Sequence, residues 1–347
     1  MARTAVDETK DGAFVRTDAG FRAHIGDAGI EAEAGRYHLY ISLACPWANR
    51  CLAALYLKGL EDVIGVSVVH PTWQRTRPDD PKDAHCGWAF RAPSDPPVTS
   101  STGHGAFGCK GCVADGVNGA RFVRDLYELA GDTTGKYTVP VLWDKKRSTI
   151  VNNESSEIMR MINASFNHLA KHPGLDLYPP HLRADIDSAN EWVYPSINNG
   201  VYRCGFAQKQ EPYEAAFKEL FAALDRCEAI LARQRYIAGG ALTEADVRLF
   251  MTLIRFDAVY VVYFKTDARR ISDYPHLRGY VRDLMATHGG AIGRSIDMRH
   301  IKTHYFTSHP ALNPYAIVPV GGEAWWEQPS DRGDKFPEAP AAAPAPA

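Results

Sequence analysis

No stretch of this chain approaches the about 20 consecutive apolar residues that a membrane-spanning helix requires. Excess charge is also missing. Against 41 acidic residues stand 39 basic ones, a net charge of −2, which argues against nucleic acid or an anionic membrane surface as the main partner. A paired cysteine framework is lacking too: seven cysteines, an odd number over 347 residues, read as free thiols, and a reducing cytoplasm is the expected compartment. The polar, acidic start, Met1 to Phe14, has no apolar centre of the kind a signal peptide carries. There is no internal repeat. What the chain does have is 45% hydrophobic and 23% charged content, enough for about two domains with full cores.

The most informative residues are Ala44-Cys45-Pro46-Trp47-Ala48. They follow an apolar, β-prone run, Tyr37 to Ile41, and precede a helical pattern through Ala53, Leu55 and Leu57. Pro46 suits the first helical turn, where its missing N–H costs nothing. Cys45 then sits where unpaired backbone N–H groups and the positive end of the helix dipole favour a thiolate. A pKa below that of free cysteine, about 8.5, is the expectation there. Three places on stands Ala48, so the motif is not a Cys-x-x-Cys dithiol. A reactive Cys45 would therefore form a mixed disulfide with an outside thiol and need that thiol for its own release. The alternative is a small buried cysteine at a strand end.

Residues 1–36 read as a polar arm with aromatic anchors at Phe14 and Phe21. Strands at 37–42 and 63–69 flank a helix at 46–58, a βαβ unit whose strands should run parallel. Residues 71–118 break the periodicity. Then follow a helix at 122–130, a hairpin of strands 139–144 and 149–151, and a helix at 154–162. From about Pro179 the pattern is helical. The clearest segment, 213–235, places Phe217, Leu220, Phe221, Leu224, Cys227 and Leu231 on one face and makes Cys227 a buried, inert thiol. Thr243 and Asp246 have capping-box spacing, although Asp must reach further than the usual Glu or else serve a neighbouring loop. Residues 336–347 form a Pro/Ala tail too poor in bulky side chains to pack.

Pro140 lies within a strand pattern and so belongs at an edge or in a cis bond. If cis, it leaves the Val139 backbone free to pair with an extended peptide. Asn152-Asn153-Glu154-Ser155-Ser156 opens a helix, offering amides and a hydroxyl to a carboxylate and Glu154 to an ammonium group. A ligand with a peptide backbone, carboxylates, an amine and a thiol is glutathione. The order Cys-Pro, Val-Pro, Glu-Ser and then a helical half resembles the glutathione transferase superfamily. Cys45-Pro46-Trp47-Ala48, Gly87-Trp88, Thr138 to Asp144, Asn153-Glu154-Ser155, Asn198-Asn199-Gly200-Val201-Tyr202 and His304-Tyr305-Phe306 together resemble the Xi class, the glutathionyl-hydroquinone reductases, from about residue 10 to 318.

The resemblance implies an α/β thioredoxin-like domain at 37–165 and an all-helical domain at 175–318, after an arm at 1–36 and before a tail at 319–347. It implies Cys45 as nucleophile, and Trp88, Val139, Glu154 and Ser155 as the residues that hold glutathione, Val139 through its backbone. Tyr202 and Tyr305 would face the aromatic half of the substrate and assist catalysis, although both, like Trp88, are residue types that commonly just pack. His304 is expected to be a structural hydrogen bonder. Glutathione would be a co-substrate, with no tightly bound cofactor, aromatic hydroquinone or quinone conjugates as the other ligand, and a homodimer as the assembly. A conventional transferase, an Omega-type thioltransferase or dehydroascorbate reductase, and a non-catalytic binding module are the alternatives. One departure is an insertion near 92–118 carrying His104, Cys109 and Cys112, with His85 and Cys86 upstream. A single Cys-x-x-Cys is poor support for zinc. The insertion is expected to be a solvent-exposed loop with incidental thiols and no metal.

Overall fold

A computed structural model describes residues 8–337; the expectations for residues 1–7 and for the tail at 338–347 lie outside the described residues. The central sheet begins with β1 (Tyr37–Ile41), every residue of which is buried, as suits a run of aromatic and branched side chains. Helix α1 (Pro46–Lys58) follows, with Pro46 in its first turn, and ends at Gly59, whose φ of 64° is the left-handed cap that glycine adopts freely. Strand β2 (Gly65–Val68) returns parallel to β1, pairing His38 with Gly65 through Ile41 with Val68. The expected βαβ unit is present.

After α2 (Val123–Leu129), the hairpin of β3 (Val141–Asp144) and β4 (Thr149–Asn152) adds two antiparallel strands, giving the order β2-β1-β3-β4. The Val139–Pro140 bond is cis, and β3 begins only after the proline. Helix α3 (Ser155–Ala164) packs along α1 and completes a thioredoxin-like layer.

The second half is helical. Helix α4 (Arg183–Val193) widens through Tyr194–Asn198 into α5 (Gly200–Gly205), and α6 (Gln210–Leu231) follows. Cys227 is fully enclosed on the inner face of α6, where burial pushes its thiol up, so the expected inert role holds. Helix α7 (Glu244–Arg255) widens at Phe256–Tyr260, and α8 (Pro275–Gly290) and α9 (Met298–Thr307) follow. None of the described helices is long and apolar enough to cross a membrane.

Asp246 performs both tasks that its spacing left open. Its Oδ2 accepts from the Thr243 amide and hydroxyl at 2.9 and 2.8 Å. Its Oδ1 accepts from the Ile237 amide at 2.7 Å and the Tyr280 hydroxyl at 2.8 Å.

The insertion is largely exposed, as expected, but its two thiols are not. Cys109 and Cys112 are buried, at 2% and 1% exposure. Val113 pairs with Val68 at the edge of β2, and the Lys110 carbonyl accepts from Arg299 at 2.6 Å and from His300 Nε2 at 2.7 Å. The turn at Asp115 is fixed by the Tyr40 hydroxyl at 2.7 Å and by the amides of Val117, Asn118 and Ala120. Composition did not show that one stretch of the segment presses closely on α9, which a glycine permits. A Cβ on Gly111 would lie 2.8 Å from His300 Nε2. Among the described residues no group of three or more His, Cys, Asp or Glu is arranged to hold a metal ion.

Replacing Asp246 by Ala should leave the Thr243 and Ile237 amides and the Tyr280 hydroxyl without their partner. A loss of about 3 kcal/mol or more is expected in denaturant unfolding. A loss below about 1 kcal/mol would show that water or a neighbour replaces the carboxylate.

Candidate active site

Cys45 is the residue before α1, with an extended backbone (φ −79°, ψ 117°) and no side-chain cap bond of its own. Its Sγ–H donates to the Val139 carbonyl at 3.6 Å, so the cis-proline loop lies directly against the thiol. A cleft of about 330 Å³ opens here between the sheet half and the helices. Cys45, Trp88, Val139, Glu154, Ser155, Tyr202 and Tyr305 all line it, so the structure gathers every candidate residue into one space.

At one end α3 begins. Glu154 accepts from the Ser156 amide at 3.0 Å and hydroxyl at 2.9 Å, and thus caps α3 as well as facing the cleft. Ser155 is nearly enclosed, and its Oγ lies 3.5 Å from Nη1 of the buried Arg50. At the other end, the hydroxyls of Tyr202 (α5) and Tyr305 (α9) are hydrogen-bonded to each other, and the Tyr260 hydroxyl lies 3.1 Å from that of Tyr305. Burial pushes Tyr202, Tyr305 and Tyr260 above the usual phenol range, which keeps all three protonated. Trp88 stacks on His304 with ring centres 4.5 Å apart while still facing the cleft, so packing and lining are both its tasks. His304 Nδ1 donates to the Pro71 carbonyl at 2.8 Å, and burial holds its imidazole well below its usual value. It is a structural hydrogen bonder, as expected.

The thiol itself departs from expectation. Burial pushes Cys45 up, and the Ala48 and Trp47 amides with the charges of Arg255 and Arg16 only partly offset it. The helix start contributes as anticipated, but the enclosure outweighs it. The other thiol of α1, Cys51, is fully buried and pushed up further, with Sγ 3.5 Å from the Ser155 carbonyl.

Two groups were not singled out in the sequence. The arm, residues 16–21, forms a wall of the cleft. The Arg16 guanidinium lies 4.0 Å from the Trp47 ring centre, Phe14 packs against Phe206 at 5.7 Å, and the Phe21 amide donates to Asn153 Oδ1 while its carbonyl accepts from the Asn153 amide. Tyr260 is the second group. Neither has a local motif, although the arm's isolated aromatics were a signal. The insertion at 92–118 contributes no residue to the cleft, so its mouth is shaped by the arm and by residues 132–137 instead.

Family models described as the glutathione S-transferase N-terminal and C-terminal domains match residues 44–165 and 210–283. The chain is 44% identical over 322 residues to glutathionyl-hydroquinone reductase PcpF of Sphingobium chlorophenolicum, covering 92% of this chain and 93% of that one. The crystal structure of glutathione S-transferase Xi from Phanerochaete chrysosporium matches with a TM-score of 0.80 at 47% identity, over 90% of this chain and 98% of the other. The glutathione-bound structure of YqjG, a glutathione transferase homolog from Escherichia coli K-12, matches with a TM-score of 0.80 at 42% identity, over 91% and 97%. The chain belongs to the glutathione S-transferase family, in the Xi-class branch of the glutathionyl-hydroquinone reductases.

Because burial disfavours the charged form of Cys45, its alkylation rate should rise with pH through an inflection above that of free cysteine. Arg16→Ala should move the inflection higher still, since Arg16 favours the thiolate. An inflection below the free-thiol value in the unliganded protein would show that the amides dominate over burial.

Proposed function

We propose that the protein catalyses glutathione-dependent reductive deglutathionylation of glutathionyl-hydroquinones. The observation that carries this reading is the thiol of Cys45, at the start of α1, set between a peptide-pairing loop at Val139 and a protonated phenol pair, Tyr202 and Tyr305. A dithiol enzyme would need a second cysteine beside the first, and a conventional transferase a hydroxyl in place of Cys45.

In this reading Val139 pairs with the backbone of the glutathionyl arm. Ser155 and the start of α3 receive a carboxylate, Glu154 the ammonium group, and Trp88 covers the arm. The Cys45 thiolate attacks the glutathione sulfur, forming a Cys45–glutathione disulfide. The electron pair of the breaking carbon–sulfur bond passes to the ring, in its keto tautomer, and a proton from the phenols completes the hydroquinone. Tyr202 and Tyr305 stabilise the charge that develops on the ring oxygen. Tyr260 touches no part of the cleft and acts as a positioning residue, holding the Tyr305 hydroxyl toward Tyr202. A second glutathione then attacks the mixed disulfide, returning Cys45 as thiolate and leaving as oxidised glutathione. The chemistry needs glutathione as co-substrate and no tightly bound cofactor. The working assembly and compartment are a homodimer in the cytoplasm.

Incubating the protein with a glutathionyl-hydroquinone and weighing it intact should reveal one added glutathionyl group, which free glutathione removes. Cys45→Ala and Cys45→Ser should show neither adduct nor turnover; turnover near normal in Cys45→Ala would exclude the mechanism. Tyr202→Phe or Tyr305→Phe should slow release of the aromatic product about a hundredfold. A small glutathione disulfide, which has no ring to activate, should be turned over almost as before. Equal losses on both substrates would make the tyrosines packing residues.

A further inference from the structure

Beside the active cleft lies a second chamber of about 780 Å³, larger than the cleft itself. Trp73, His85, Cys86, Phe206 and His309 line both spaces, so the two share a wall. Phe206 stacks beside Tyr202 with ring centres 6.1 Å apart, continuing the aromatic surface from the phenol pair toward the chamber. Beyond this wall the chamber opens to solvent, and its apolar part is Ala207 after α5 and the exposed Pro310, Ala311 and Leu312 after α9. Its polar residues include Asp80, Lys82 and Asp83, from the loop that joins the short pair Gln74–Arg75 and Cys86–Gly87. Asp83 is paired with Arg124 at 2.5 Å, and burial brings His309 down to about 4, leaving that imidazole neutral.

We propose that this chamber receives an uncharged alkyl substituent on the hydroquinone ring, making the enzyme selective for conjugates that carry one. The proposal rests on the reductase reading. A ring placed between Cys45 and Tyr202 has Phe206 at its edge, and a chain leaving that edge passes over the shared wall into the apolar part of the chamber. Burial of hydrocarbon there releases water from Ala311 and Leu312, whereas the alternation of Asp80, Lys82 and Asp83 gives an anionic tail no net cationic partner.

The test compares glutathionyl conjugates of hydroquinone and of hexylhydroquinone on the full chain, with Ala311→Trp and Ala207→Trp as variants that fill the chamber from two different elements. The wild type should favour the hexyl conjugate by about tenfold or more in kcat/KM. Both variants should lose that preference while turning over the plain conjugate at the wild-type rate. Equal wild-type rates on the two conjugates, or an intact preference in both variants, would overturn the proposal. A second arm needs no turnover. In Cys45→Ser protein, hexylhydroquinone should slow alkylation of the half-exposed Cys86, followed by peptide mapping, and plain hydroquinone should not. Should neither conjugate be turned over, the reductase reading fails, and the Cys86 protection still decides the chamber: protection by the hexyl compound alone supports it, and absence of protection overturns it.

Discussion

One buried cation fixes the geometry on which everything else rests. Arg255, at the end of α7 and fully enclosed, reaches out of the helical half into the turn that carries the thiol. Its guanidinium donates to the Ala44 carbonyl at 3.2 Å, the Leu43 carbonyl at 3.4 Å and Asn49 Oδ1 at 2.7 Å. Asn49 in turn donates to the Ser295 carbonyl, before α9. The halves cannot part here without leaving a charge and several dipoles unpaired in a dry interior, a cost of several kcal/mol. One wide turn after Arg255 the same chain segment delivers Tyr260 to Tyr305. A single segment thus holds the thiol from one side and the phenols from the other.

The electrostatics of the cleft follow from enclosure more than from any one dipole. The same burial that holds Cys45 in its thiol form keeps Tyr202 and Tyr305 protonated. For proton-donating phenols that is the useful direction; for a nucleophile it is a handicap that amides and arginines only partly offset. A resting thiol of this kind is shielded from casual oxidants, because the thiolate is the reactive form.

What was legible in the sequence was what depends on short-range backbone rules. The proline at the start of α1, the Val139–Pro140 bond, the α3 start at Ser155 and the Thr243–Asp246 cap all declare themselves within a few residues, and each stands where its spacing put it. The amphipathic face of α6 was readable for the same reason, although the helix begins three residues before the expected start. What escaped notice depends on chain segments far apart. Arg16 is a wall only because Trp47 lies beneath it, and Tyr260 matters only because Tyr305 is its neighbour. Cys109 and Cys112 are buried only because the insertion is pressed onto α9. The direction of the Cys45 shift was missed because a helix start is visible in a sequence and the volume closed around it is not.

The arm that walls the cleft is fastened by side-chain and backbone bonds at separate points: Lys136 to Glu8 and Thr17, Arg22 to Glu157, Phe21 to Asn153. Among the described residues it adds no strand to the central sheet, meeting β4 through a bridge between Arg22 and Asn152. The scaffold and one face of its binding surface are therefore encoded in separable parts of the chain. Drift in these few residues can reshape what the cleft admits while the sheet, the buried arginine and the thiol stay as they are. For anyone producing the protein, trimming into residues 14–21 removes part of the surface that faces the cleft.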